Sequence, residues 1–258
     1  MKAVILAGGL GTRLSEETEI RPKPLVEIGD KPILWHIIKH LNHYGINDFI
    51  ILCGYKGYLI KEYFYNYQLH NSDLKIDFKK GKVEILKKNN EKWNITIVDT
   101  GVDTMTGGRL LRVKNYLKNE SSFLFTYGDG LSDVNINKLI KFHKNHKKLA
   151  TVTSILPPGR FGSVQINDHN KVIKFNEKPE GDSGYINGGF FVLNKKVFDY
   201  ISNDETIWEQ EPLMNLSKKG ELFAFKHRGF WQAMDTLREK KYLNELWQKN
   251  KALWKVWK

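Results

Sequence analysis

A glycine-rich turn, Gly8-Gly9-Leu10-Gly11-Thr12-Arg13, directly follows the apolar run Ala3-Val4-Ile5-Leu6-Ala7. Glycines there let backbone N–H groups close on phosphate oxygens without obstruction, and Arg13 adds a fixed cation. The competing reading is a plain strand-to-helix turn. Spelling excludes two better-known phosphate loops. No Gly-Lys-Ser/Thr ends the turn, and a dinucleotide fingerprint would need its third glycine at Leu14. An arginine in that place favours a polyphosphate over a dinucleotide. Arg21-Pro22-Lys23-Pro24-Leu25 follows closely. Its prolines are expected to hold Lys23 extended, as a second phosphate contact beside the loop.

Asp129 sits between Gly128 and Gly130 at the end of the apolar segment Ser122–Tyr127. Ligands of open α/β sheets collect at the carboxyl ends of strands, and Mg²⁺ takes one or two carboxylates plus phosphate oxygens. A turn aspartate is the alternative. The chain has Asp129-Gly130-Leu131 rather than the Asp-x-Asp of many metal-dependent glycosyltransferases. Asp235, just before the last helix, reads alone as an ordinary acid at a helix N-terminus. Lys178 lies in Glu177-Lys178-Pro179, with Glu177 either its ion-pair partner or an acceptor for a substrate hydroxyl. Asn187-Gly188-Gly189 offers an amide and an open backbone edge that a sugar can approach.

The elements that must position these residues follow from hydrophobic periodicity. Ala3–Ala7 and Asp48–Cys53 are continuous apolar runs, as expected of strands buried on both faces of a mostly parallel sheet. Between them Pro32–Tyr44 shows helical spacing and stops at Gly45. Further helices are expected at Lys56–Tyr67, Gly108–Leu117, Ile136–His146, Val197–Ile201 and Trp208–Lys218. Strands are expected at Asn94–Asp99, Ser122–Tyr127, Ala150–Leu156, Gly188–Asn194 and Leu222–His227, and a hairpin over Gly162–Asn167 and Lys171–Asn176. Strand alternating with helix predicts right-handed crossovers and an α/β fold. Residues 73–92 read as a second hairpin that projects from it. From Thr236 a long final helix would carry Leu243, Leu246, Trp247, Leu253, Trp254 and Trp257 on one face.

The 258 residues suit one large domain or a domain with an appendage, and 41% hydrophobic content argues against disorder. A net charge of +12 raises nucleic acid, membrane surface or acidic small molecules as partners. The excess lies in separated segments (75–92, 138–148 and 238–258), none interleaved with aromatics like a base-stacking platform. Solvated lysines are therefore the favoured reading and nucleic acid is not. A single cysteine, Cys53, excludes an internal disulfide and a cysteine-built zinc site. No run approaches the roughly 18 apolar residues of a membrane span, and no signal peptide is read. The expectation is a soluble, cytoplasmic protein.

Taken together these segments resemble the sugar-1-phosphate nucleotidyltransferase family along nearly the whole chain. The stretch from Gly8 to Leu14, continuing to Arg21-Pro22-Lys23-Pro24, carries the resemblance most specifically. Uridylyl and thymidylyl relatives have a glutamine-proline segment where this chain has Thr104 to Arg109. With Asp99–Leu110, Tyr127–Gly130, Gly159–Gly162 and Gly229–Asp235, that departure makes the chain similar to the cytidylyl branch.

The resemblance implies a Rossmann-like mixed, mostly parallel sheet flanked by helices, the nucleotide-diphospho-sugar transferase fold, with a β-hairpin insertion and a C-terminal helical region. It implies a catalytic domain over 1–235 and a packing or assembly helix over 236–258. It implies transfer of a cytidylyl group from CTP to α-D-glucose 1-phosphate, giving CDP-glucose and pyrophosphate. Leu6, Ala7, Gly8, Gly9, Gly11, Thr12, Arg13, Lys23, Thr104, Arg109 and Gly128 would then hold the nucleotide. Arg13, Lys23 and Lys178 would act on the phosphates, and Asp129 and Asp235 would ligate Mg²⁺. Glu177, Lys178, Asn187 and Gly188 would face the sugar phosphate. The Arg109 guanidinium would face O2 and N3 of cytosine, or else the triphosphate. A homo-oligomer is expected, with residues 73–92 and the tryptophan-bearing final helix as candidate contacts. Rival readings are a different phosphorylated acceptor or a non-catalytic nucleotide-sugar-binding subunit.

Overall fold

A computed structural model describes residues 1–87, 91–157, 163–166, 168, 171–176 and 184–257. Seven strands form the central sheet: β1 (Lys2–Ala7), β2 (Asp48–Cys53), β3 (Asn94–Asp99), β4 (Ser122–Tyr127), β5 (Ala150–Ile155), β6 (Ile186–Asn194) and β7 (Leu222–His227). Their spatial order is β7-β5-β6-β4-β1-β2-β3. β6 is antiparallel to both its neighbours, and all other pairings are parallel. The chain builds outward from β1 to β3, then returns to place β4 on the other side of β1. That reversal opens a crevice at the carboxyl ends of β1 and β4, where ligands of open α/β sheets bind.

The apolar runs explain the layering. Ala3, Ile5 and Ala7 face one core and Val4 and Leu6 the other, and Phe49, Ile51 and Cys53 alternate with Ile50 and Leu52 in the same way. The first core is covered by α1 (Ile33–His43), α2 (Gly57–Tyr65) and, further along the chain, α4 (Ile136–His146) and α6 (Leu237–Gln248). The second is covered by α3 (Thr106–Arg112) and α5 (Glu211–Lys218). Cys53 is buried, and burial pushes its thiol up to about 12.

Several expectations are corrected. The expected helix over Gly108–Leu117 is α3 plus a separate 3₁₀ turn at Lys114–Leu117, and the helix expected over Val197–Ile201 is a 3₁₀ helix, Lys195–Tyr200, that ends before Ile201. α5 starts at Glu211, with Pro212 in its first turn, and not at Trp208, which is fully buried ahead of it. α6 ends at Gln248 because Asn250 takes a left-handed conformation (φ 54°). The Lys251 N–H then bonds to Leu246 O and the Asn250 N–H to Trp247 O, closing a Schellman cap.

The tryptophans after this bend serve the chain's own core. Trp254 is fully buried, and its indole N–H donates to His36 Nδ1 at 3.3 Å. Burial holds the His36 imidazole down at about 4, so it remains a neutral acceptor. The expected tryptophan-bearing assembly face is therefore an intramolecular clasp.

In the second expected hairpin, Asp73–Asp77 pairs with Lys82–Lys87, and Phe78 between them is 90% exposed. In the other expected hairpin, Ser163–Ile166 pairs with Val172–Asn176. The nearby Gly159–Gly162 segment lies outside the described residues. No described helix is long and apolar enough to cross a membrane.

Candidate active site

The carboxyl ends of the parallel strands and the N-terminal end of β6 meet along one edge of the sheet. Leu6 and Ala7 are buried at the end of β1, and Gly9, Leu10, Thr12 and Arg13 beyond them are exposed. Gly11 has φ 67°, and a Cβ there would press on Thr18 Cγ2 at 2.7 Å. The Thr18 hydroxyl lies within hydrogen-bond distance of Gly11 O (3.1 Å) and Leu14 O (3.0 Å), which fixes the far side of the loop.

Lys23 is not extended, as its prolines suggested. It heads a 3₁₀ turn, Lys23–Leu25, in which Val26 N–H bonds to Lys23 O at 3.0 Å and Pro24 supplies the φ that the turn needs. Gly128 packs under this turn, where a Cβ would meet Leu6 O at 2.6 Å and Pro24 Cγ at 3.3 Å. The close approach brings Lys23 Nζ to 2.7 Å from Asp129 Oδ2 and 2.6 Å from Asp235 Oδ1. Arg13 Nη1 reaches Asp235 Oδ2 at 3.1 Å. Burial pulls the Lys23 ammonium down, but the two carboxylates outweigh it and hold it above its ordinary value.

A short antiparallel ribbon that the sequence did not announce explains why residues so far apart meet. Gly130–Ser132 pairs with Trp231–Ala233, and Met234 N–H bonds to Asp129 O at 2.9 Å. Asp129 and Asp235 thus lie at the same end of one ribbon. The Thr236 and Glu239 side chains form a capping box, and Glu239 Oε2 also accepts the Asp235 N–H at 2.7 Å. Two carboxylates already bridged by one ammonium form a hard-oxygen donor set suited to a divalent cation that keeps further positions for phosphate oxygens. Among the described residues no group of three or more His, Cys, Asp or Glu could hold a metal by itself.

Arg109 is held inside the chain beside the glycine loop. It is only 5% exposed, and its terminal nitrogens are spent on the chain itself. Nη1 donates to Thr100 Oγ1 (2.8 Å), Gly101 O (2.6 Å) and Cys53 O (3.2 Å), and Nη2 to Val102 O (2.9 Å) and Gly8 O (3.1 Å). Burial lowers its pKa from the ordinary guanidinium value. The guanidinium braces the glycine loop against the ends of β2 and β3. A Cβ at Gly8 would collide with this guanidinium. Thr104 is buried near Gly101.

Asn187 and Gly188 lie at the start of β6. The Gly189 N–H donates to Asn187 Oδ1 at 2.8 Å, and Trp231 Nε1 to Gly188 O at 2.8 Å. Glu177 and Lys178 lie outside the described residues. Tyr127 and Glu209, joined by a 2.6 Å hydrogen bond, belong to the same edge, and no local sequence signal points to Glu209. The place of Tyr127 directly before Gly128-Asp129 was the available signal.

Comparison with known proteins agrees with this architecture. The nucleotidyl transferase family matches residues 2–232. The chain is 62% identical over 257 residues to a glucose-1-phosphate cytidylyltransferase of Salmonella typhimurium, covering 100% of both chains. It is 50% identical over 258 residues to a probable glucose-1-phosphate cytidylyltransferase of Bacillus subtilis, again covering 100% of both. The crystal structure of HddC from Yersinia pseudotuberculosis superposes with a TM-score of 0.70 at 24% identity, covering 95% of this chain and 99% of that one, a likeness of fold alone. With a family match over nearly its whole length and full-length relatives well above 30% identity, the chain belongs to the nucleotidyl transferase family.

Proposed function

We propose that the chain transfers a cytidylyl group from CTP to α-D-glucose 1-phosphate, releasing pyrophosphate and CDP-glucose. The observation that carries this is the 62% identity, without truncation on either side, to the Salmonella glucose-1-phosphate cytidylyltransferase. The convergence of Arg13, Lys23, Asp129 and Asp235 supports this reading. A phosphate oxygen of the sugar attacks the α-phosphorus of CTP in line, and pyrophosphate leaves, so no covalent enzyme intermediate is required. The difficulty is bringing two polyanions together. Arg13 and Lys23 stand beside the glycine loop to offset the repulsion and to stabilise charge on the equatorial oxygens. Lys178 serves the sugar phosphate in the same way, with Glu177, Asn187 and Gly188 facing the sugar. Leu6, Ala7, Gly8, Gly9, Gly11, Thr12, Thr104 and Gly128 shape the nucleotide side, with Arg109 behind them.

Asp129 and Asp235 would hold a divalent cation, Mg²⁺ in our reading. When bound it polarises phosphoryl oxygens as a Lewis acid. The catalytic unit spans 1–235, and 236–258 packs on it. A matrix of CTP, UTP, dTTP and ATP against several sugar 1-phosphates, read by pyrophosphate release, tests the assignment. The expected result is turnover concentrated on CTP with glucose 1-phosphate. Turnover on another pair, or none at all, overturns it.

The protein is further proposed to self-associate through the hairpin of residues 73–92. An isolated two-stranded hairpin is marginal in water, and Ile76, Phe78, Val83 and Leu86 are exposed together on this one. Light scattering at micromolar concentration is expected to give a multiple of the 30.1 kDa chain mass. A monomeric mass refutes this.

A further inference from the structure

Glu209, in the loop before α5, has no role in the reaction described so far. Its carboxylate takes two short hydrogen bonds, from Tyr127 Oη onto Oε1 at 2.6 Å and from Thr106 Oγ1 onto Oε2 at 2.6 Å. The Thr106 hydroxyl in turn accepts the Trp208 N–H at 2.9 Å. A carboxylate only accepts, so the Tyr127 proton must point at Glu209. The phenol oxygen is then the acceptor for Asn187 Nδ2, at 3.2 Å, while Asn187 Oδ1 accepts the Gly189 N–H.

Every donor in this chain has one direction, and a flipped Asn187 amide would oppose donor to donor at Gly189. Packing fixes the ring as well. Gly189 has φ 81°, and a Cβ there would meet Tyr127 Cδ2 at 2.7 Å. Burial, reinforced by the Glu209 charge, holds the phenol above its ordinary pKa, so it stays protonated.

We propose that Glu209 is a positioning residue for the acceptor substrate. Through Tyr127 it fixes the exposed Asn187 amide, with one N–H and one carbonyl lone pair held in a set orientation for the ring hydroxyls of a hexose phosphate. The inference rests on the proposed placement of the sugar at Asn187. It extends that reading by naming what makes the site selective for hydroxyl configuration. A hydroxyl of the wrong configuration meets a fixed amide that cannot turn to accommodate it.

The test compares Tyr127→Phe, Glu209→Ala, Glu209→Gln and Asn187→Ala by pyrophosphate release, with KM measured separately for glucose 1-phosphate and CTP. Tyr127→Phe and Glu209→Ala should each raise KM for glucose 1-phosphate about tenfold, the effect of losing one oriented hydrogen bond, and leave KM for CTP within about twofold. Discrimination against galactose 1-phosphate and mannose 1-phosphate should fall in parallel. Glu209→Gln keeps a carbonyl for the Tyr127 proton and should recover most of the loss. Parallel rises in both KM values, or a glutamine no better than alanine, would make Glu209 merely structural and overturn the proposal. A raised KM for glucose 1-phosphate in Asn187→Ala but not in Tyr127→Phe would overturn the relay while keeping the sugar where it is placed. No change in Asn187→Ala would remove the sugar placement and the relay with it.

Discussion

Asp129→Asn is expected to lower turnover by at least ~10²-fold, the scale of removing a main electrostatic group from a phosphoryl-transfer site. The amide keeps the shape of the side chain and loses the charge that a divalent cation needs. Folding should survive, because Lys23 keeps its 2.6 Å partner at Asp235 and the backbone bond from Met234 N–H to Asp129 O is untouched. Asp235→Asn should behave alike. The double variant should lose much less than the product of the two single losses, if both carboxylates serve one ion as proposed. The measurement is pyrophosphate release at saturating divalent cation, with a thermal melt as the folding control. A near-normal rate in Asp129→Asn would show that this pair of carboxylates is not the cation site.

Arg109→Gln is expected to damage stability and catalysis together. Gly8 O also accepts the Tyr55 N–H and Cys53 O the Thr100 N–H, so those carbonyls keep a partner. Gly101 O and Val102 O lose the Arg109 donors that hold them, and a partly buried acceptor left unpaired costs about 1–3 kcal/mol. The brace between the glycine loop and the ends of β2 and β3 goes with them. kcat/KM should fall about tenfold or more with CTP and with UTP alike, leaving the ratio between them within about threefold, and the melting temperature should drop. A selective loss of CTP activity, with UTP spared, would return Arg109 to the role of base reader.

What the sequence disclosed follows from how local each signal was. Ala3–Ala7 and Asp48–Cys53 declared themselves as strands because a strand covered on both faces is apolar at every position. Ile136–His146 was read to the residue, because its apolar spacing is strong and Asn135 caps it. The ribbon of Gly130–Ser132 with Trp231–Ala233 is three residues on each side, too short for any periodicity, and its partners are about a hundred residues apart.

Lys23 was recognised by its neighbours in sequence, but its ionic partners lie 106 and 212 residues away, where no window reaches. The burial of Arg109 has no local signature. A helical arginine is usually solvated, and only the convergence of the loops at Gly8, Cys53, Gly101 and Val102 gives its donors enough carbonyls to be buried. Glu209 carries no local signal, since its partners come from β4 and α3.

The 212-residue span between Lys23 and Asp235 also sets an order of events during synthesis. Translation at about 5–20 residues per second puts Asp235 about 10–40 s behind Lys23. Meanwhile β1, β2 and β4 can pair, since all three lie within the first 127 residues. The nascent chain thus displays its glycine loop well before the second carboxylate exists, and Lys23 waits with Asp129 alone. The clasp of Trp254 on His36 comes later still, 218 residues after its partner. A product cut short before Asp235 therefore keeps the glycine loop but lacks the paired carboxylates.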